Sequence, residues 1–430
     1  MTAIDKAPVA AAPRLRVALV SEHASPLAAL GGVDAGGQNL HVAELAAGLT
    51  RAGLDVSVHT RRDDPDLPDR LLTPAGYTVV HVPAGPARRI PKDALWPMMG
   101  EFADRLSADF SARPPDLVHA HFWMSGWASA RAARALDLPL TITFHALGAV
   151  KRRYQGAADT SPPERLAIET ELALTADRVI ATCSDEVAEL RGLGAGAERV
   201  SVVPCGVDVD WFGAAAEPLP AALSRHPGRP RLVCVGRLVP RKGIDTVVAA
   251  LTLLPGVELV VAGGEPTGPG RHDPDRERLR RAAEQHEVAD RVRLAGPIPR
   301  SLMPALIRSA DLVVCAPWYE PFGIVPLEAM ACGVPVVGSA VGGLLDSVAP
   351  GRTGTLVRPR DPFALADAVA DLLADADRRQ AYGRAGLERV RHRFTWSRVA
   401  EQTAAVYRAL SPAGSRPARP ARPAAALAAS

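Results

Sequence analysis

Short apolar runs alternate with helix-length amphipathic segments along the chain. "LRVALV" (15–20) is strand-sized. "GGQNLHVAELAAGLTRAG" (36–53) reads as a glycine loop that opens a helix, and "DVSVHT" (55–60) as a second strand. Further strands are predicted at 117–122, 140–145, 178–183 and 200–204. The pattern restarts after a Pro/Ala-rich stretch from Gly213 to Pro230, with strands at 231–238, 257–264, 291–296, 312–317, 334–339 and 354–359 and a long helix over 361–383. Such βα alternation predicts parallel sheets covered on both faces. The expected fold class is α/β, with two Rossmann-like doubly wound domains facing a cleft. The first domain is placed at 14–212, a linker at 213–230 and the second domain at 231–394. Residues 1–13 and the low-complexity Pro/Ala/Arg tail 411–430 are expected to be disordered.

Composition narrows the function classes. Hydrophobic residues make up 47% and charged residues 23% of 430 residues, as in a soluble globular protein. The net charge is +3, and Arg416, Arg419 and Arg422 of the tail account for it. The body is near neutral and shows no basic stripe, so a nucleic-acid partner is not expected. Five scattered cysteines form no C-x-x-C and point to a reduced setting. The amino terminus lacks the build of a signal peptide, and no 18-residue apolar run exists. A cytoplasmic location without a transmembrane segment is expected, and peripheral contact with a membrane is left open.

Candidate chemistry sits in loops after predicted strands. "EPFGIVPLEAMACGVPVVGS" (320–339) places Glu320 before, and Glu328 one turn inside, a helix whose first turn holds Pro326. Unpaired amides near Phe322, Gly323, Ile324 and Val325 suit a phosphate. The two carboxylates would repel phosphate but accept hydrogen bonds from diols. A ligand with a diphosphate between polyhydroxyl rings satisfies both demands, and a nucleotide sugar has that form. "GRLVPRKG" (236–243) offers Arg237 and Lys242 to the same diphosphate. Gly36 and Gly37 let a backbone approach a phosphate, although a flexible βα turn also explains them. His119 and His121 alternate on one strand face with no further ligands in sequence, so no metal site is expected. His145 ends its strand at the edge where substrates bind. Asp273 and Asp275 form a D-x-D that reads better as a helix cap than as a metal motif.

Together these motifs resemble retaining glycosyltransferases of family 4, which have the two-domain GT-B fold. The "DAGGQN" loop, "HAHFW", "TFHALG", "VVPCGVD" and the Glu320/Glu328 pair carry the resemblance over roughly 14–410. It implies that Arg237 and Lys242 hold the diphosphate and that Gly37 approaches it from the first domain. Glu320 and the amides of Phe322 to Ile324 would meet the sugar and distal phosphate, Glu328 the ribose, and His145 the donor-sugar pocket. It also implies that the 395–410 helix crosses back onto the first domain. The implied reaction moves a hexose from a nucleoside-diphosphate sugar, UDP-sugar favoured, to a hydroxyl of a small-molecule, glycan or lipid-linked acceptor. Retention follows from attack on the face the diphosphate leaves. No cofactor and no metal is required, and no protein nucleophile is nominated.

The amino-terminal half looks most like the mycothiol-pathway and sucrose-synthase-like branches. Lys92 and Arg165 are candidates for an acceptor phosphate. Phe122 stands where the mycothiol branch has Tyr, and Ala146 where it has Thr. Both changes remove hydroxyl hydrogen bonds to an anion, which disfavours an inositol-phosphate acceptor for N-acetylglucosamine transfer. Neither strand-loop supplies the G-x-G-x-x-G of a dehydrogenase. A nucleotide-sugar epimerase and a non-catalytic nucleotide-sugar-binding protein are the remaining alternatives.

Overall fold

The computed structural model describes residues 14–28, 36–215, 217–265 and 273–410. The expectations for 1–13 and 411–430, and residues 31–35 of the glycine loop, lie outside this set. The first sheet holds β1 (Arg16–Val20), β2 (Asp55–Arg61), β3 (Arg70–Leu72), β4 (Thr78–Val82), β5 (Leu117–His121), β6 (Leu140–Thr143), β7 (Arg178–Ala181) and β8 (Val200–Val202). Its order is β3-β4-β2-β1-β5-β6-β7-β8, parallel except for the β3–β4 pair. The second sheet holds β9 (Arg231–Val235), β10 (Glu258–Ala262), β11 (Val292–Gly296), β12 (Leu312–Cys315), β13 (Val336–Ser339) and β14 (Gly354–Val357). It is ordered β11-β10-β9-β12-β13-β14 and is parallel throughout. The central strands are buried on both faces under helices, as parallel sheets require, and the edge strands β3, β8, β11 and β14 are part-exposed.

Chain order reverses between β1 and β5 in one sheet and between β9 and β12 in the other. Ligands in open α/β sheets bind in the crevice outside the carboxyl ends of such strands. The loops that follow β1, β5, β6, β9 and β12 hold Gly37, Phe122, His145, Lys242 and Glu320 in turn. Topology alone thus gathers the candidate residues.

Three local expectations are corrected. The 361–383 segment is two helices, Pro362–Ala374 and Ala376–Arg393, because Asp375 turns its side chain onto the Arg378 amide and caps the second. The β3–β4 hairpin is not foreseen, since Leu71 and Leu72 of β3 face solvent and leave no alternation to read. The domain handover also differs. Val207 and Phe212, assigned above to the first domain, pack with Leu306, Met330 and Phe394 in the second. The 213–230 stretch is no free tether: Leu223 is buried, and the buried Arg231 guanidinium donates to Leu223 O and Ser224 O at 3.0 and 2.8 Å.

The helix Trp396–Leu410 carries its apolar side chains at Trp396, Val399, Ala400, Ala404 and Tyr407, a 3.6-residue stripe. That stripe packs on the Gly37–Arg51 helix and on Val17, Leu19 and Val42 of the first domain. Gly48 and Gly206 admit it. A Cβ at Gly48 would lie 2.7 Å from the Ala400 methyl, and one at Gly206 2.7 Å from the Trp396 ring.

Candidate active site between the two sheets

The second-domain wall is two interlocked loops. Gly243 has φ +67°, and a Cβ there would lie 1.8 Å from Ala316 O, so the β9 and β12 loops touch only because this residue is glycine. The contact brings Lys242 Nζ onto Glu320 Oε2. Burial alone would raise the Glu320 carboxyl. Lys242, Arg241 and the Phe322 N–H bring it below the ordinary carboxylate range. Arg241 lies over the Tyr319 ring at 5.2 Å, with its Nη1 buried and without a hydrogen-bond partner. Arg237 is exposed on this loop, and its charge reaches Lys92 across the cleft.

Gly323 (φ +69°) caps the helix Ile324–Ala331, so the amides expected near Phe322 to Val325 do open a helix. Gly342 and Gly343 press beneath them. A Cβ would meet Glu320 O at 2.2 Å from Gly342 and Phe322 O at 2.6 Å from Gly343. Gly343 N donates to Glu320 O at 2.8 Å. Glu328 stands one turn into the helix, and burial pushes its carboxyl up to about 7 against the opposing pull of Arg300. Arg300 also lies 3.7 Å from Glu44 of the first domain.

The first-domain wall is a block of buried histidines. His119 and His121 share one face of β5, ring centroids 4.2 Å apart. His121 Nδ1 is 2.8 Å from His145 Nε2, and His119 is bonded to Tyr407 OH at 2.6 Å and Thr143 Oγ1 at 2.9 Å. His41 packs against His121 and His145 and approaches Cys205 Sγ at 3.5 Å. Burial pushes His41 down to about 4 and His119 to about 3, and holds His121 and His145 well below their usual range. All four are therefore neutral at pH 7. His145 is not in the strand; it follows β6 with φ +62°, a left-handed conformation uncommon for residues with a Cβ. Among the described residues no group of three or more His, Cys, Asp or Glu is arranged to hold a metal ion.

Lys92, Phe122 and Arg165 converge although far apart in sequence. Phe122 also has positive φ (84°), and its ring lies 5.2 Å from Lys92 Nζ and 5.0 Å from Arg165 Cζ. Arg165 is buried and engaged by Glu169 at 2.7 Å, Ser161 and Ala146 O. Burial, with Lys151, Arg165 and Arg237 nearby, lowers the Lys92 ammonium to about 8 despite Asp93.

The two walls meet. A Cβ at Gly37 would lie 3.3 Å from Ile324 Cδ1 and 3.6 Å from Phe322, whereas one at Gly36 would meet nothing within 4 Å. Phe322 packs on His41 and His145. Gln155 donates to Tyr319 OH at 2.8 Å, Thr182 to Pro321 O at 3.1 Å, and Ser184 Oγ to Asp346 at 2.9 Å. The D-x-D is accounted for as expected: Asp273 caps the helix Pro274–Gln285 through the Asp275 and Arg276 amides.

Sequence reading missed His41, Arg241, Lys151 and the Gly342–Gly343 pair. The glycine pair follows a strand and was legible as a second loop approach. His41 and Lys151 sit on helices and are revealed only by packing.

Comparison with known proteins agrees with this geometry. The family model described as Glycosyltransferase Family 4 matches residues 35–211, and that described as Glycosyl transferases group 1 matches 217–389. A D-inositol 3-phosphate glycosyltransferase 2 of Catenulispora acidiphila is 38% identical, covering 91% of this chain and 94% of its own. A D-inositol 3-phosphate glycosyltransferase of Mycolicibacterium smegmatis is 38% identical, with 92% of each chain covered. Sucrose-phosphate synthase from Thermosynechococcus elongatus superposes with a TM-score of 0.83 at 34% identity, over 92% of this chain and 99% of that one. Anabaena HepE in complex with UDP-glucose shares the fold, with a TM-score of 0.70 at 21% identity, over 92% of this chain and 100% of that one. The chain is an enzyme of the GT-B fold and belongs to the glycosyltransferases that join a family 4 domain to a group 1 domain.

Proposed function

We propose that this enzyme transfers a hexose, with retention, from a UDP-sugar to a hydroxyl of a small polyol that carries a phosphate. The observation that carries the acceptor reading is the Lys92–Phe122–Arg165 cluster facing Arg237 across the cleft. Arg165 is paired with Glu169 and Lys151 with Asp159, so the positive charge an acceptor phosphate would meet is chiefly that of Lys92, beside Asp93, with Arg237 across the cleft. The Phe122 ring takes the place of a hydroxyl, so recognition there is by charge rather than by an added hydrogen bond. Relatives named for D-inositol 3-phosphate support a polyol phosphate over a lipid-linked acceptor.

In this reading Arg237, Lys242 and the amides at the Ile324–Ala331 N-terminus hold the diphosphate. Lys242 shifts from Glu320 alone to a shared place between Glu320 and phosphate. The bond from the anomeric carbon to the distal phosphate oxygen breaks, and charge grows on that oxygen beside the fixed cations. Preorganised charge of this kind is worth about 3–4 kcal/mol per donor. The acceptor oxygen bonds the anomeric carbon on the face the phosphate leaves, and its proton passes to the leaving phosphate oxygen. Glu328 accepts from the ribose diol, and His145 lines the sugar pocket. Arg237, Lys242 and the helix amides supply the positive charge and the leaving phosphate takes the proton, so the mechanism calls for no metal.

The test is a thermal-shift panel with UDP, GDP and ADP on the wild type and Glu328→Ala. UDP at a hundred times its Kd adds about 2.7 kcal/mol, and Glu328→Ala abolishes the shift. Transfer from UDP-glucose and UDP-N-acetylglucosamine is then assayed on inositol and inositol phosphate. Turnover of both acceptors at equal kcat/KM, or a UDP shift unaltered by Glu328→Ala, would sink the proposal.

A further inference from the structure

His145 has one ring nitrogen, Nε2, engaged by His121 Nδ1 at 2.8 Å, and one, Nδ1, buried without a partner. His121 Nε2 is likewise buried and unpartnered. Two neutral imidazoles bring two N–H groups. One lies in the bond between the rings, and the other must be on an orphan nitrogen.

If His145 donated across the pair, the remaining N–H would be on His121 Nε2. That atom is on the last residue of β5, whose ring is fully buried with His119 at 4.2 Å and His41 at 5.7 Å packed on it. No hydrogen-bond partner reaches it in the structure. If His121 donates, the remaining N–H is on His145 Nδ1. The His145 ring faces Phe322 of the second domain at 5.0 Å, so it lies on the surface that the cleft uncovers. A buried donor without an acceptor is costly and rare, and of the two orphan nitrogens that of His145 belongs to the ring that borders the second domain, where a ligand between the domains would supply the acceptor.

We infer that His121 is a positioning residue: it donates Nδ1–H to His145 Nε2, fixes His145 as the Nδ1–H tautomer, and so aims an N–H donor at an oxygen of the donor sugar. The support extends below the pair. His119, held by Tyr407 and Thr143, backs the His121 ring and prevents its rotation away from His145. Burial keeps all the rings neutral, which the tautomer argument needs. The inference rests on the reading of His145 as lining the sugar pocket, but its first test needs no ligand.

The test is selective 15N-histidine labelling of the full chain, with His145 assigned by the signals lost in His145→Gln. The expected spectrum has a protonated Nδ1 and a bare Nε2 on His145. The reverse pattern overturns the inference and leaves the transferase reading untouched. His121→Phe removes the donor, and His145 should shift toward the Nε2–H form that imidazole prefers in water. His121→Asn, whose side-chain amide can occupy the place of Nδ1–H, should restore the original pattern. In binding, His121→Phe should weaken UDP-glucose about tenfold while UDP changes less than about twofold. Equal losses for both nucleotides would make His121 merely structural. Should His121→Phe fail to fold, the wild-type spectrum and His121→Asn still decide.

Discussion

At the residue scale, buried charge makes the site sensitive to pH. Glu328 has a raised pKa in the folded chain, near 7, and an ordinary one of 4.5 when unfolded. The folded state therefore binds the extra proton, and stability falls as pH rises from 4.5 through 7. Glu328→Gln should relieve this, stabilising the ligand-free protein by about 1–3 kcal/mol at pH 8 and little at pH 5. Urea unfolding at the two pH values checks it; an equal effect at both would show that burial is not the cause. Lys92 works in the opposite sense. Its folded pKa is lowered to about 8, so the free protein gains stability above that value while the cation needed for an anionic acceptor is lost. Affinity for inositol phosphate should fall about tenfold from pH 7 to pH 9, and Lys92→Gln should remove that dependence in calorimetric titrations. His145 and Phe122, both strained by positive φ, join these residues as places where local preference yields to the site.

At the scale of elements, glycines decide how near the loops come. Gly243→Ala should cost about 2–4 kcal/mol, since its Cβ would collide with Ala316 O at a left-handed φ, and UDP binding should vanish with the loop contact. Gly37→Ala should weaken UDP with a smaller loss of stability than Gly243→Ala, because the added methyl meets only the side chains of Ile324 and Phe322, where the two walls touch. Gly36→Ala is the control with open space around it. Melting and UDP titration of the three variants distinguish these cases; a stable Gly243→Ala would refute the interlock. Much of this was readable beforehand. Among the described residues, apolar runs in the sequence predict twelve of the fourteen strands; β4 has such a run but no helix-length segment before it, and β3 is three residues with two leucines in solvent. Residues adjacent to strand ends, such as Glu320 and Lys242, could be nominated because topology puts strand ends together. His41, Arg241 and Lys151 could not, because their roles come from packing between segments that are remote in sequence. The helix break at Asp375 was hidden by a polar face that reads the same in one helix or two.

At the scale of the whole molecule, the cleft walls touch through the Phe322 ring and through polar contacts that a hinge can release. Asp346→Ala removes the acceptor for both Ser184 groups and should favour the open form. Its expected signature is a larger radius of gyration by X-ray scattering and a raised acceptor KM, with stability changed by less than about 1 kcal/mol; an unchanged radius would show that the pair does not govern closure. The other connection does not open so easily. Trp396, Val399, Ala400 and Tyr407 are part of the first domain's core, yet more than 180 residues separate them from β8, its last strand. During synthesis the first domain leaves the ribosome long before this helix exists, and the face that holds Val17, Leu19 and Val42 waits uncovered until the second domain has been made. Folding of this chain is thus ordered backwards for its first half: the early-made domain completes its core only after the second domain has been made.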